Sequence, residues 1–344
     1  MILVTGAAGY IGSHTCVELL NSDLGIVAID DFSNSSFQSI DRVQKITGKK
    51  FDFYEMSVMD TEKLEMIFSR HNIQAVIHFA GYKSVSESVT NPLKYYQNNI
   101  TGTLFLIEVM KKYNVKNLIF SSSATVYGNP TNVPISENSK VGVTNPYGRS
   151  KLIVEEILRD IHNSDNDWNI VLLRYFNPIG AHKTGEIGED PKGRPNNLLP
   201  YVSQVAIGIR EKVSVFGNDY DTTDGTGVRD YIHVVDLAKG HLKSIEKLYT
   251  QCGFKIYNLG TGQGYSVLEV IQAFEKVSNR KIDYTFEPRR SGDIGICYAD
   301  PSRANVELKW YAEKKLDEMC RDAWNWQVKN PDGYKSHSVY EGIL

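Results

Sequence analysis

Tyr147 and Lys151 lie four positions apart in Tyr147-Gly-Arg-Ser-Lys151, at the start of a stretch patterned as a helix over Gly148–His162. Residues four apart share one helix face, so phenol and ammonium can converge on one target. A free tyrosine ionises at about pH 10, and a nearby cation favours its phenolate. Such a pair can take a proton from a hydroxyl and return it. Upstream, Ser121-Ser-Ser-Ala-Thr-Val-Tyr-Gly128 ends an apolar run. Ser123 or Thr125 there can relay or orient the proton. Alone, the Tyr–Lys spacing is common, and most copies are solvated helix pairs. Its weight comes from what precedes it along the chain.

What precedes it is a glycine loop. Gly6-Ala-Ala-Gly9-Tyr10-Ile11-Gly12 follows the first apolar run and opens a helical pattern. Glycines allow a tight turn and close backbone approach to a pyrophosphate, which rests on the helix N-terminus. Asp30 ends the second apolar run, 18 positions beyond Gly12. A carboxylate there bonds the adenosine ribose hydroxyls and repels a 2′-phosphate, which favours NAD over NADP. Beside Asp31 it is otherwise a solvated loop acid. His78-Phe79-Ala80-Gly81 closes another run with small residues, against which adenosine can lie; otherwise it is an ordinary buried strand end. The positive charge of NAD would join Lys151 in drawing Tyr147 toward working pH.

Elements that alternate must position these groups. Strands are expected at Ile2–Thr5, Ile26–Ile29, Phe51–Tyr54, Ala75–Phe79, Leu118–Ser121 and Ile170–Arg174. Helices are expected at Ile11–Leu20, Thr61–His71, Tyr95–Tyr113 and Gly148–His162. That alternation predicts an α/β fold, a doubly wound parallel Rossmann sheet. From about Asn177 to Pro200, Gly, Pro and Asn become frequent, marking a connecting, site-forming segment. Beyond it a mixed pattern predicts a smaller α/β lobe. Its elements are helices near Pro200–Ile209, Val235–Leu248, Ser266–Val277 and Leu316–Trp326, and strands at Val213–Phe216 and Ile256–Leu259. The division expected is 1–177 with about 231–254 for the cofactor, and about 178–230 with 255–344 for a substrate-binding lobe.

Composition narrows the class. A net charge of −3 gives no basic field for nucleic acid, and no polybasic run points to a membrane. Cys16, Cys252, Cys297 and Cys320 lie far apart, which argues against a zinc site and suits a reducing compartment. No signal peptide and no apolar run of membrane length is visible, so the cytosol is the expected location.

With these motifs the sequence resembles the UDP-galactose 4-epimerases of the extended short-chain dehydrogenase family, from Ile2 to about Tyr334. The resemblance rests on Val4–His14, Ser121–Gly128, Leu172–Asn177, Pro195–Leu198 and Gly225–Val234. It implies an NAD-dependent isomerase acting on UDP-glucose and UDP-galactose through a 4-keto sugar, with Tyr147 as base and Lys151 also holding the nicotinamide ribose. It places Tyr10, Ile11, Asn34, Ser35, Ser57, Val58, Phe79, Ala80, Lys83, Asn98 and Tyr175 near NAD. It assigns the UDP-sugar to Lys83, Phe176, Asn177, Asn197, Leu198, Phe216, Arg229, Arg290, Asp293 and Cys297. Two arginines suit a diphosphate through bidentate bonding, although by themselves both read more simply as surface ion-pair residues. The resemblance also implies a homodimer joined through Tyr95–Tyr113 and Leu152–Ile161.

Two positions depart from the family pattern. Ser57 stands where many members carry an aspartate, which removes a charge-assisted bond to adenine. Cys297 stands where narrow-specificity members carry a tyrosine, which leaves room for a 2-acetamido group. UDP-GlcNAc and UDP-GalNAc are therefore expected substrates, unless Cys297 is only a small packing residue. A 4,6-dehydratase needs an acid and a base after the serine, and Ala124 and Thr125 cannot serve. A decarboxylase, and a sensor that binds NAD without turnover, remain as alternatives.

Overall fold

The computed structural model describes residues 1–290 and 293–335. The tail after Tyr334, left open by the sequence, lies outside the described residues from Ser336 onward, as do Ser291 and Gly292.

In chain order the strands are β1 (Ile2–Thr5), β2 (Ile26–Asp30), β3 (Asp52–Glu55), β4 (Ala75–His78), β5 (Asn117–Ser123), β6 (Asn169–Tyr175), β7 (Asn177–Ile179), β8 (Val213–Phe216), β9 (Val228–His233), β10 (Phe254–Leu259), β11 (Gly264–Ser266), β12 (Tyr284–Glu287) and β13 (Ile296–Cys297). The helices are α1 (Tyr10–Asn21), α2 (Phe37–Thr47), α3 (Thr61–Arg70), α4 (Val85–Thr90), α5 (Pro92–Tyr96), α6 (Gly102–Lys112), α7 (Pro146–Ser164), α8 (Leu198–Ala206), α9 (Val234–Leu248), α10 (Val267–Ser278), α11 (Ser302–Glu307) and α12 (Leu316–Lys329).

Seven strands form one parallel sheet in the order β10-β6-β5-β4-β1-β2-β3. Strand residues alternate between faces, and both faces here are apolar. Ile2 and Val4 pack with Cys16 and Val17 of α1, Val43 of α2 and Leu237 of α9. Leu3 packs on the other face with Leu64 of α3, Leu106 of α6 and Val154 and Leu158 of α7. The strand order reverses between β1 and β4, and ligands of open α/β sheets bind in the crevice at that reversal.

The remainder is mixed. β9 lies between β11 and β13 and also pairs with β7, while β8 pairs with β12. Helices α8, α10 and α12 cover this part with Leu199, Val202, Phe274, Met319 and Cys320.

Four features differ from expectation. The strand expected to open the smaller lobe at Ile256 runs from Phe254 to Leu259 and pairs with β6 in the large sheet. The helix expected over Tyr95–Tyr113 is interrupted by a π turn at Gln97–Thr101. An amphipathic helix, α2, fills the stretch between β2 and β3. The strands β7, β9, β11, β12 and β13 were not expected, being short or interrupted by Arg229 and Asp230.

Candidate active site

The glycine loop joins β1 to α1 at the reversal point. Gly6 has φ +69°, and a Cβ there would sit 2.8 Å from the Ala80 backbone nitrogen. A Cβ on Gly12 would sit 2.2 Å from the Gly6 carbonyl oxygen. The loop is thus pressed against the end of β4, where only glycine fits. Gly9 begins α1 with no side-chain cap, so the first-turn N–H groups are left to an incoming acceptor.

Asp30, 8 % exposed at the end of β2, accepts from the Ala8 nitrogen at 2.9 Å through Oδ2. Its Oδ1 accepts from the Phe32 nitrogen at 3.0 Å and from the Ser35 hydroxyl at 2.6 Å. Burial pushes the Asp30 carboxyl up, and these bonds pull it down. A carboxylate accepts about four hydrogen bonds, so room for a ribose hydroxyl remains. Uncapped helix, glycine cradle and buried carboxylate fit a dinucleotide. Ser35 is spent on holding Asp30, and Asn34 is exposed beside it. The Ser57 hydroxyl accepts from the Met59 nitrogen at 3.2 Å, and Val58 is buried against the Gly102 position.

At the end of β4, His78 bonds Thr5 at 2.7 Å and Thr103 at 2.9 Å, while burial and the nearby Lys151 lower it to about 3. This neutral ring ties β1 and β4 to α6. Lys83 is exposed and pairs with Glu189 at 3.2 Å; Glu189 also accepts from Asn197 at 2.7 Å. Glu189 therefore links one residue expected to serve both ligands to one expected to serve the sugar nucleotide. Asn98 lies in the π turn, a feature frequent at functional sites, and donates to Asn99 at 3.0 Å.

Tyr147 enters at the start of α7. Asn145 caps that helix by accepting from the Gly148 nitrogen at 2.8 Å, and Pro146 fixes the first turn. The buried Asn99 donates to the Ser150 hydroxyl at 3.1 Å, which donates to the Tyr147 carbonyl at 2.7 Å. Ser123 ends β5, where its hydroxyl favours the Tyr147 phenolate, and it accepts from the Thr125 hydroxyl at 3.0 Å. Lys151, 5 % exposed, donates to the Ser121 carbonyl at 2.7 Å and lies 4.7 Å above the Phe120 ring. Ser121 in turn bonds the Tyr175 phenol.

Burial raises the Tyr147 phenol, and the nearby Ser123 hydroxyl offsets part of that rise. The Lys151 ammonium is itself lowered to about 8 by burial. Burial of this kind favours the neutral phenol, and a positive charge brought beside it favours the phenolate.

The residues expected to grip a sugar nucleotide gather on the short strands. Arg229 on β9 is in register with Cys297 on β13. Its guanidinium donates to the carbonyls of Val228 at 2.9 Å and Gly295 at 3.3 Å. Arg290 lies 4.7 Å over the Phe216 ring and bonds Asp293 at 2.9 Å. Asn177 is exposed at the start of β7, Leu198 begins α8, and Phe176 is buried beside Cys297. Burial raises the Cys297 thiol to about 11, so it is a neutral, unreactive group.

A family model described as GDP-mannose 4,6 dehydratase matches residues 3–323. UDP-glucose 4-epimerase of Bacillus subtilis is 61% identical over 335 residues, covering 97% of this chain and 99% of that protein. The chain belongs to the UDP-glucose 4-epimerase family, within the extended short-chain dehydrogenases. The family's Bifidobacterium longum enzyme, solved with NAD+ and UDP, superposes with a TM-score of 0.94 at 56% identity, covering 96% of this chain and 99% of that one. The enzyme solved from Stenotrophomonas maltophila, with NAD and formylated UDP-arabinopyranose, also gives 0.94, at 47% identity over 96% and 98% of the chains.

Sequence reasoning passed over Glu155, Arg174 and Asn99. Arg174 carries the one visible signal, a charge inside an apolar strand. A buried charge requires a partner, and that partner cannot be located from spacing alone.

Proposed function

We propose that the chain interconverts UDP-glucose and UDP-galactose by inverting carbon 4 through a 4-keto sugar. The observation that carries this reading is the buried Tyr147 with Lys151 one turn further along α7, where the ammonium meets the serine end of β5, beside a glycine cradle. Gly6, Gly9, Gly12 and Asp30 would hold the cofactor, with Lys83, Asn98 and Lys151 toward its nicotinamide half. Bound NAD supplies the hydride acceptor for carbon 4 and a positive charge that favours the phenolate. Tyr147 takes the 4-hydroxyl proton, and Ser123, bonded to Thr125, orients that hydroxyl. Arg229 and Arg290 hold the diphosphate while the 4-keto sugar turns about its phosphate linkage. Tyr147 then returns the proton.

The large sheet is assigned to the cofactor, with β10 added to residues 1–177 and about 231–254, and the remaining segments to the UDP-sugar. The dehydratase chemistry in the matching model's description lacks its acid and base here, since Ala124 and Thr125 follow Ser123. No helix among the described residues is long and apolar enough to cross a membrane. A cytosolic location follows as part of this reading. So does a homodimer through the helices around Tyr95–Tyr113 and Leu152–Ile161, supported by Leu93 and Leu104, which stand exposed there at 69 % and 37 %. Incubation with UDP-galactose and no added NAD is expected to yield UDP-glucose. Recovery of UDP-galactose alone, even with NAD supplied, rejects the reading.

Cys297 supports a second substrate pair. It packs among Val126, Tyr127 and Phe176, next to Arg229 on β9. A tyrosine there would fill the space that a 2-acetamido group needs. Cys297→Tyr is expected to lower UDP-GalNAc turnover by roughly tenfold or more, about 1.4 kcal/mol, while UDP-galactose turnover holds. Equal loss on both sugars would mark Cys297 as packing only.

A further inference from the structure

The α7 helix carries a third polar residue on the face of Tyr147 and Lys151, one turn further on. Glu155 is 2 % exposed, and its carboxylate is fully engaged. Oε1 accepts from the Ser122 hydroxyl at 2.5 Å and from Arg174 Nε at 2.9 Å. Oε2 accepts from Arg174 Nη2 at 2.5 Å. Arg174 is 3 % exposed near the end of β6 and also donates to the Tyr127 phenol at 3.1 Å. The Tyr127 phenol donates to Asn258 on β10 at 2.6 Å. One carboxylate thus ties the catalytic helix to β5 and β6, and through Tyr127 to β10.

These ties end next to reacting groups. Ser122 sits between Ser121, whose carbonyl receives Lys151, and Ser123, whose hydroxyl favours the Tyr147 phenolate. Arg174 immediately precedes Tyr175, whose phenol bonds Ser121. An ion pair buried this deeply is a poor route to stability, because desolvating both charges cancels much of their attraction. A bidentate Arg–carboxylate pair does fix geometry.

Resting on the epimerase reading above, we propose that Glu155 is a positioning residue for the proton transfer. Through Arg174 and Ser122 it holds Lys151 and Tyr147 in register with Ser123, and it is the acidic group that faces Lys151.

The groups around Lys151 support this. From β4 comes His78, neutral in its buried setting; from β5 the Ser121 carbonyl and the Phe120 ring; from β6 Tyr175 and the paired Arg174; from α7 itself Tyr147 and Glu155. Burial lowers Lys151, and Glu155 opposes that fall. The sign is definite. A lysine lowered to about 8 loses its charge as pH rises through that value. Removing the Glu155 charge lets it lose that charge at lower pH.

The experiment is the pH profile of kcat and KM for UDP-galactose in wild type, Glu155→Gln and Glu155→Asp. Glu155→Gln should move the alkaline limb of kcat downward by roughly one pH unit, equivalent to about tenfold at the steep part of the limb. Its KM should change little, because Glu155 does not touch substrate. Glu155→Asp, which keeps the charge, should leave the limb near its wild-type position. If the unpaired Arg174 prevents Glu155→Gln from folding, Glu155→Gln with Arg174→Met removes both charges, and a downward shift of the same sign but smaller size is expected, because the opposing Arg174 charge goes as well. A limb that superimposes on wild type in either neutral variant overturns the proposal, leaving Glu155 a packing residue. Wild type that fails to epimerise would instead reject the reading on which the proposal rests.

Discussion

Replacement of Tyr147 by phenylalanine is expected to cut UDP-galactose epimerisation by about 10²–10⁴-fold, the range for loss of a positioned general acid–base. That corresponds to roughly 3–5.5 kcal/mol of barrier. The ring stays, and with it the packing of a side chain only 9 % exposed. The backbone at this position is held independently, since Ser150 donates to the Tyr147 carbonyl at 2.7 Å and Asn145 caps the helix. NAD content and UDP-sugar affinity should therefore remain close to wild type while kcat falls. Measured kcat, KM and bound NAD decide the matter together. A variant that loses NAD or substrate binding in proportion to activity would show that Tyr147 acts as a wall of the site and not as its base.

The second large effect lies at Gly12. An alanine methyl there would meet the Gly6 carbonyl oxygen at 2.2 Å and the Ala7 Cα at 2.9 Å. Both contacts are backbone, so relief requires moving the loop that cradles the pyrophosphate. Overpacking of this kind costs about 1–3 kcal/mol, and here it falls on the bound geometry. Gly12→Ala is expected to bind NAD roughly 10–100-fold more weakly, read as the cofactor content of purified protein and restoration of activity by added NAD. Gly142→Ala is the control, because a methyl there meets nothing within 4 Å. Unchanged NAD content in Gly12→Ala would mean that the pyrophosphate lies elsewhere.

These two residues also mark what sequence alone makes legible. Gly12 and Asp30 announce themselves through local spacing around the first two strands. Tyr147 and Lys151 do so through helical periodicity. The large sheet is legible because each buried strand is a continuous β-branched run flanked by amphipathic segments. The smaller lobe is not. β9 contains Arg229 and Asp230, and its partners β7, β11 and β13 are two or three residues long. Such strands exist only through pairings between distant segments, so no local pattern reveals them. Asp230 illustrates the point: its carboxylate accepts from the backbone nitrogens of Thr261, Gly262 and Ala299, all remote in sequence. The pairing of β10 with β6 in the large sheet is hidden for the same reason. The π turn at Gln97–Thr101 leaves no periodic signature, since it shifts a helix by one residue without breaking it.

The surroundings of Tyr147 and Lys151 are less legible. Two residues four positions apart on one helix face place phenol and ammonium together, but spacing does not show that the ammonium donates to the Ser121 carbonyl or that burial raises the phenol and lowers the lysine. Ser123 supplies the bond that favours the phenolate, and Glu155 counters the burial of Lys151. These surroundings depend on β5, β6 and α7 meeting in space.

The central claim is that carbon 4 is oxidised and reduced on the same sugar within one site. The most direct measurement is conversion of UDP-galactose carrying deuterium at carbon 4, in ordinary water, with product position and isotope content read by NMR and mass spectrometry. UDP-glucose that retains deuterium at carbon 4 is the expected result. UDP-glucose with carbon 4 hydrogen drawn from water, or no UDP-glucose with NAD supplied, would contradict the account.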